Sequence, residues 1–372
     1  MTFEVHQFAD EMEAVAELEL SIVEHAQLSA AIEELAKLQA RARVRKNGRR
    51  LKARAILMMG AAGAGKSTVI ELCERLNPEI ETEDGIIKPL LVVEVPATPT
   101  KRALVAAILG AMGYSAAKDI NSYDIIDEIA EKVKLLSIEM IILDEAHHIL
   151  DAKDSQDISE FLKSLLNRAG AGIVFAGLPD LAVLATSSQF DRRLQPDIRL
   201  RAYDWTSKAE RLEFLMLLDQ LENDCIPLPA RSDIADQNFA RRLHVATRGE
   251  IGLVTKYVSQ ALLLAKRRQL PCIDLDLLAE VDAAWHPSPT TCDEIGFADD
   301  LDLKSPDLAS LLVDARKVHI DKERNPFVCT SARLLELRNE RIAQPDKFAA
   351  ANKRTGKRAR GTGPDDPKAF TK

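Results

Sequence analysis

The chain has 372 residues, of which 46% are hydrophobic, 29% charged and 5% aromatic, and its formal net charge is −8. This composition is ordinary for a soluble globular protein, with room for one large domain or two modest ones. The acidic balance excludes a globally basic chain, so contacts with nucleic acid would have to come from local basic patches. The five scattered cysteines form no C-x-x-C pair, which argues against a zinc site or a disulfide framework.

The N-terminus and the apolar runs bear on localisation. Residues 1–10 contain acids and a histidine where a signal peptide would carry a basic segment. No apolar run approaches the about 18 residues that a membrane span needs. We therefore expect a cytoplasmic protein without a membrane partner.

Residues 1–50 predict an N-terminal extension that is first helical and acidic and then basic. Between Arg41 and Arg54 the chain carries eight lysines and arginines and no acid. Two interpretations of this basic stretch stay open. It is either a solvated leader to the first strand or a contact for a phosphate backbone or a protein partner.

A glycine-rich motif follows the first predicted strand. Residues 55–59 form an apolar run, residues 60–67 read GAAGAGKS and match G-x-x-x-x-G-K-[ST], and helix-favouring residues come next. Backbone N–H groups of such a loop converge on one spot, where the dipole of the following helix favours phosphate. Lys66 is predicted to reach the β- and γ-phosphates, and the Ser67 hydroxyl to hold Mg²⁺. The predicted nucleotide-binding residues are Gly60, Ala61, Ala62, Gly63, Ala64, Gly65, Lys66, Ser67 and Thr68.

A second strand is predicted over residues 90–95, after a polar connection over residues 77–85. The turn PATPT ends this strand, and Thr100 is predicted to cap a helix over residues 101–112. The spacing of isoleucine, valine and leucine predicts another helix over residues 123–136.

Four apolar residues followed by Asp144 and Glu145 form the Walker B pattern. Asp144 is predicted to hold Mg²⁺, and Glu145 to orient and activate a water for in-line attack on the γ-phosphate. His147 and His148 are predicted to pack or to form hydrogen bonds, because no third metal ligand is obvious nearby. The letters DEAH also occur in one helicase class, but the chain has a single P-loop and too little length for two motor lobes.

Two more strands are predicted, over residues 172–177 and 198–203. Alternation of buried strands and helices predicts a parallel five-stranded sheet with helices on both faces. Gly177 stands where a polar sensor residue is expected, and glycine supplies no polar side chain there. Arg192 and Arg193 fall between these strands, where an arginine can reach the nucleotide of a neighbouring subunit; the alternative is a surface ion pair.

After the predicted α/β core (residues 51–205), four helical stretches predict a lid over residues 206–285. Ser207 is predicted to cap its first helix, and Arg248 is a candidate nucleotide sensor, with a basic loop as the alternative. Residues 286–348 read as a linker with C-terminal helices. Residues 349–372 have the composition of a disordered basic tail that either solubilises the protein or binds DNA or a partner.

Taken in order, these motifs resemble an AAA+ ATPase, and more closely the TniB/TnsC family of transposition regulators. The resemblance covers residues 30–285 and rests on GAAGAGKST, VVEVPATPTKRAL, IILDEAHHIL, GIVFAGLP, SQFDRRL and TRGEIG. It implies ATP and Mg²⁺ as cofactors and a ring or filament around duplex DNA. It also implies recruitment and activation of a DDE transposase, with a target-selection protein as a further candidate partner and hydrolysis disassembling the oligomer.

Carried onto this chain, the resemblance implies that Lys66 and Ser67 bind nucleotide and Mg²⁺, and that Asp144 holds the metal. It implies that Glu145 is the hydrolytic residue and that Arg192 or Arg193 acts in trans. DNA contact is expected near Thr100, Lys101 and Arg102, from their position after the second strand. The alternatives are another AAA+ role, as in an ExeA-like secretion ATPase or a helicase loader, and a low-turnover ATP-switched signalling or scaffold protein.

Overall fold

The structure is a computed structural model that describes residues 9–46, 49–83, 85–114, 124–186, 191–286 and 320–343. The helices within these ranges are α1 (Ala9–Leu20), α2 (Ala26–Arg43), α3 (Lys66–Leu76), α4 (Lys101–Ala111), α5 (Asp124–Leu135), α6 (Ser155–Ala169), α7 (Ala182–Thr186), α8 (Lys208–Cys225), α9 (Gln237–Thr247), α10 (Ile251–Arg268), α11 (Leu275–Trp285) and α12 (Ser331–Ala343). The strands are β1 (Arg45–Lys46), β2 (Arg49–Arg50), β3 (Ala55–Gly60), β4 (Ile80–Thr82), β5 (Gly85–Ile87), β6 (Leu90–Glu94), β7 (Met140–Asp144), β8 (Gly172–Gly177) and β9 (Ile198–Leu200).

A five-stranded parallel sheet forms the centre of the protein, with the strand order β6-β7-β8-β3-β9. Strands β3 and β8 are buried along their whole length, as continuous apolar runs predict for a sheet covered on both faces. The predicted α/β fold with a parallel five-stranded sheet is therefore confirmed. Because the strands are parallel, their carboxyl ends lie at one edge, where sites of such sheets form.

Helices cover both faces of the sheet. Helices α4, α5 and α6 bury one apolar face, whereas α2 and α3 bury the other. On the second face, α2 packs so closely that a Cβ added to Gly172 would lie 2.6 Å from Cγ of Leu38. The N-terminal helix α2, predicted as an extension, is thus part of the sheet's core.

Helices α8 to α11 form the helical unit after the sheet and share one apolar core. Helix α1 contributes Leu18 to this core, and Phe327 joins it from the C-terminal segment. Helix α12 packs on α9 through a cluster of Val245, Cys329, Leu334 and Leu337. Segments from both ends of the described chain therefore stabilise the lid.

Three features differ from the sequence expectations. Residues 77–85 were expected to form a polar connection, but residues 80–87 form the antiparallel hairpin β4–β5, and the basic stretch contains the short pair β1–β2. Strand β9 ends at Leu200 instead of residue 203, because Tyr203 N–H donates to the carbonyl of Gly249 and the chain turns there toward the lid.

Several predicted segments lie outside the described residues. These are residues 287–319 and 344–348 of the region predicted as a linker with C-terminal helices, and the whole basic tail over residues 349–372. Among the helices that are described, none combines the length and the apolar character needed to cross a membrane.

Candidate nucleotide site

The glycine-rich loop joins the carboxyl end of β3 to the first turn of α3. Gly63 and Gly65 have φ of 77° and 92°, left-handed values that glycine adopts without strain. Gly65 is the N-cap of α3, and no side chain caps that helix. The first N–H groups of α3 are therefore available to an anion, as phosphate binding requires.

Lys66 is held inside this loop and is only 8% exposed. Its ammonium donates to the carbonyl of Gly60 over 2.8 Å and to that of Ala61 over 2.9 Å. Burial lowers the pKa of Lys66, while the carboxylates of Glu145 and Asp144 act in the opposite direction. The cation is thus bound by weak neutral acceptors that a phosphate could replace.

The two Walker B carboxylates lie at the end of β7. In the sheet register, Asp144 lies opposite Glu94 of the neighbouring strand β6. Oδ1 of Asp144 accepts a hydrogen bond from Glu145 N–H over 2.8 Å. Glu145 has φ of 52°, a left-handed value that is unusual for a residue with a side chain. This backbone turn brings the Glu145 side chain to the same cavity as Lys66.

That cavity has a volume of about 470 Å³ and lies between the loop and the lid. The end of this cavity at the glycine loop is lined by Ala62, Gly63, Gly65, Lys66, Ser67, Thr68 and Glu145. The remaining predicted loop residues, Gly60, Ala61 and Ala64, line an adjoining cavity of about 400 Å³. The predicted loop residues therefore line two adjoining cavities and not a single one.

The opposite wall of the larger cavity was not predicted. The connection between α1 and α2 contributes Ser21, Val23 and His25, and the lid contributes residues from α8 and α10. These residues carry no nucleotide-binding motif, so only the packing of α1 against α10 reveals them. The mixture of apolar and polar side chains suits a base and a sugar.

Arg248 is not among the residues that line this cavity. It ends α9 with φ of 58°, and its guanidinium forms an ion pair with Glu250, with Nε and Oε1 3.2 Å apart. Helix α10 instead brings Thr255 and Lys256 to the wall. Lys256 was missed because a lysine one turn inside a helix has no sequence signal of its own.

Arg192 and Arg193 lie at the amino edge of the sheet. Arg193 donates to the carbonyl of Ala53 over 3.2 Å and to Oδ1 of Asn167 over 2.7 Å. The five residues of β3 between this edge and the glycine loop span roughly 16 Å. Both arginines are therefore too far away to serve their own subunit's phosphate site.

The side chain of Arg192 is exposed, and no ion pair involves it within the part of the chain that the structure describes. Its backbone carbonyl accepts a hydrogen bond from Arg54. Within the described residues, the guanidinium of Arg193 therefore bonds to its own subunit, whereas that of Arg192 forms no ion pair.

The three residues predicted to contact DNA begin α4. Thr100 caps this helix, as predicted, because its Oγ1 accepts from Ala103 N–H over 3.1 Å. Lys101 is half-buried, with its ammonium 6.0 Å from the ring centroid of Phe161, whereas Thr100 and Arg102 are exposed. The first turn of α4 contains no acid, so its N-terminus remains positive.

Two histidines follow Glu145 on a 3-10 turn over residues 146–151. Nδ1 of His147 lies 3.2 Å from Oε2 of Glu145, but the atoms are not aligned as a hydrogen bond. The expectation that no third ligand lies near the histidines is wrong, since ligand atoms of Glu145, His147 and His148 lie within 4.8 Å of one another. Burial, followed by the neighbouring His148, lowers the pKa of His147 and favours its neutral form.

Solved structures with the same architecture include a Cdc6p protein and an ORC1 protein. Cdc6p from Pyrobaculum aerophilum matches with a TM-score of 0.50 at 14% identity, over 73% of this chain and 70% of that one. The ORC1 protein of Aeropyrum pernix, in complex with DNA, matches with a TM-score of 0.52 at 17% identity, over 73% and 69%. At these identities the likeness shows the fold, which is that of an AAA+ P-loop NTPase.

Sequence comparison gives a narrower result. Among curated proteins, none matches this chain. The family described as "Bacterial TniB protein" matches residues 18–204, just over half of the chain, from α1 to the residues that follow β9. The chain therefore belongs to the bacterial TniB family.

Proposed function

We propose that this protein is an ATP-hydrolysing regulator of transposition that oligomerises on target duplex DNA and recruits and activates a DDE transposase. One observation carries the proposal: Lys66, Ser67 and Glu145 share a single cavity between the glycine loop and the lid, in a chain of the TniB family. A triphosphate in this cavity would contact both the sheet and the lid, so that its presence could set their relative position.

The residues present fit a magnesium nucleotide. The uncapped start of α3 and the Lys66 ammonium suit phosphates, and the Ser67 hydroxyl and Asp144 carboxylate are the oxygen ligands that Mg²⁺ takes. Bound Mg²⁺ would neutralise charge on the phosphates. Glu145 would accept a hydrogen bond from the attacking water and take its proton.

An arginine from a second subunit would complete the site. Arg192 is exposed at the amino edge of the sheet, away from its own loop, and is therefore the better candidate of the pair. A guanidinium suits the charge that spreads over the transferring phosphoryl oxygens. ATP hydrolysis would then depend on assembly.

The DNA half of the proposal rests on the start of α4. Thr100, Lys101 and Arg102 combine a positive helix N-terminus with two cations, and the first turn of α4 itself contains no acidic residue. Such a surface binds phosphates without reading bases, so binding should be insensitive to sequence and sensitive to salt. The ORC1 protein of Aeropyrum pernix, which shares the fold, was solved in complex with DNA.

The proposal is tested by two substitutions in the nucleotide site. Lys66→Ala should abolish ATP binding and ATP-dependent DNA binding, and Glu145→Gln should bind ATP and DNA but trap the assembly by blocking hydrolysis. Lys37→Ala, which removes an exposed lysine of α2, is the control and should behave as the parent. DNA binding that is equal in the parent and in Lys66→Ala would contradict ATP control.

A second function, a low-turnover ATP switch, is favoured by Gly177. This glycine ends β8 where a polar side chain is expected to help hydrolysis. ATPase rates with and without duplex DNA distinguish the two functions, because a transposition regulator should turn over and assemble faster on DNA. An unchanged rate and no assembly on DNA would favour the switch.

A further inference from the structure

The end of β8 has no room for a side chain. A Cβ added to Gly177 would lie 3.1 Å from both N and Nδ1 of His147, and 2.9 Å from Cδ1 of Leu181. The backbone nitrogen of His147 cannot move as a flexible side chain can. The imidazole of His147 therefore occupies the place where a polar residue at position 177 would put its polar atoms.

The same imidazole lies beside the carboxylate of Glu145, the residue proposed above to activate the attacking water. Its side chain is 15% exposed, that of Glu145 is 42% exposed, and Nδ1 lies 3.2 Å from Oε2 of Glu145. Nδ1 is buried and has no hydrogen-bond partner among the residues that the structure describes. A buried polar nitrogen is costly to leave unpaired, so a small rotation of the more exposed Glu145 would satisfy it.

The turn that carries His147 is well fixed. Ala146 and Ile149 are fully buried on either side of it, and His148 N–H donates to the Glu145 carbonyl over 3.1 Å. The rings of His147 and His148 pack with their centroids 4.4 Å apart. The position of the imidazole is thus set by packing, and Glu145 is the partner that adjusts.

We propose that His147 is a positioning residue for Glu145. In its neutral form with the proton on Nδ1, it donates to the Glu145 carboxylate and holds it toward the attacking water. Gly177, at the end of β8, has no side chain that could donate a hydrogen bond to Glu145. The imidazole of His147 supplies this donor from the turn that follows β7. The inference rests on the proposed ATPase function.

The test compares His147→Ala with His147→Asn, whose amide nitrogen can replace Nδ1 as a donor. His147→Ala should lower kcat by about tenfold or more, the scale for loss of one positioned hydrogen-bond donor, while ATP affinity changes by less than about twofold. His147→Asn should recover part of kcat. In a Glu145→Gln background, His147→Ala should cause no further loss of single-turnover hydrolysis.

The matched control is His148→Phe, which keeps a ring against His147 and should leave kcat unchanged. An equal loss in His148→Phe would overturn the inference, since it would indicate that both rings act together, as in a metal site shared with Glu145. A parental kcat in His147→Ala would overturn it while leaving the ATPase proposal intact. Absence of hydrolysis by the parent would instead overturn the ATPase proposal itself.

Discussion

The backbone N–H of Gly252 donates to the carbonyl oxygen of Gly63 over 3.0 Å, so the lid helix α10 begins directly against the glycine loop. This hydrogen bond joins the two halves of the candidate site without a side chain. It gives the lid a direct route to sense the conformation of the loop. This contact is a physical reason for the second glycine of TRGEIG, Gly252.

Gly252→Ala should weaken ATP binding by about tenfold, because overpacking typically costs about 1–3 kcal/mol. The added Cβ would lie 2.6 Å from the Gly63 oxygen and would push α10 off the loop. Gly110→Ala is the control, since a Cβ there meets nothing within 4 Å. Equilibrium titration with a fluorescent ATP analogue measures the effect, and equal affinity in both variants would argue against a docked lid.

Arg192 and Arg193 should behave differently when truncated. Arg192→Ala should abolish assembly-dependent ATP hydrolysis without lowering the melting temperature. Arg193→Ala should destabilise the fold by about 1 kcal/mol, because it loses the bonds to Ala53 and Asn167. Thermal unfolding and ATPase assays over a range of protein concentrations separate the two effects.

A mixing experiment tests action in trans. Arg192→Ala and Lys66→Ala protomers should each be inactive alone but should recover hydrolysis when mixed, because a mixed interface can pair an intact loop with an intact Arg192. No recovery, together with normal assembly of the mixture, would show that Arg192 does not complete a neighbour's site.

The buried pair of Arg341 and Asp282 should anchor the C-terminal helix to the lid. Both guanidinium–carboxylate distances are 2.9 Å, and the Tyr257 hydroxyl donates to the same carboxylate over 2.7 Å. Although burial opposes it, the hydrogen bond with His286, the charge of Arg341 and the hydrogen bonds from Arg341 and Tyr257 together hold the pKa of Asp282 below its usual value. Arg341→Met should cost about 3–5 kcal/mol, because the carboxylate stays buried without its cation.

Denaturant unfolding measures that loss, with Arg333→Met as the control. Arg333 lies on the same helix, but its partners Glu336 and Glu340 are at the surface. An equal midpoint for the parent and Arg341→Met would show that α12 does not stabilise the lid.

His25 should make stability depend on pH. Its Nδ1 accepts from Leu28 N–H over 3.4 Å and lies 3.2 Å from the Tyr203 hydroxyl, and burial lowers its pKa to about 4. A depressed histidine pKa means that the unfolded state binds the proton first. The contribution of His25 is therefore complete above pH of about 6.5 and declines as the pH falls toward about 4.

His25→Asn keeps a cap for α2 but does not titrate. The parent should melt at a higher temperature than His25→Asn by a margin that shrinks as the pH is lowered from about 6.5 to about 4. A constant difference across that range would contradict the assignment.

The sheet was predictable because its strands are short apolar runs between turn signals, and the glycine loop and Walker B acids carry motifs that depend on local sequence. The remaining parts of the site depend on contacts between distant segments. Val23 and His25 reach the cavity only because α1 packs on α10, and Lys256 lines it through the orientation of that helix. Arg341 bonds to Asp282 although the two residues are 59 positions apart in the sequence, and no local sequence pattern predicts such a contact.

The hairpin β4–β5 was missed for a different reason. Its pairing of Ile80 with Ile87 and Thr82 with Gly85 involves few residues, and all three residues of β4 are exposed. Little apolar burial accompanies it, so the sequence resembles an ordinary polar connection. Gly85, the first residue of β5, adopts φ of 128°, a backbone conformation that favours glycine.

The most direct test of a triphosphate-controlled assembly is sedimentation of Glu145→Gln with duplex DNA, ATP and Mg²⁺, compared with Lys66→Ala under the same conditions. Glu145→Gln should sediment with the DNA only when ATP is present, and its complexes should persist, whereas Lys66→Ala should remain unbound with or without ATP. Sedimentation of both variants with DNA regardless of ATP would contradict the proposal that nucleotide at the glycine loop controls assembly.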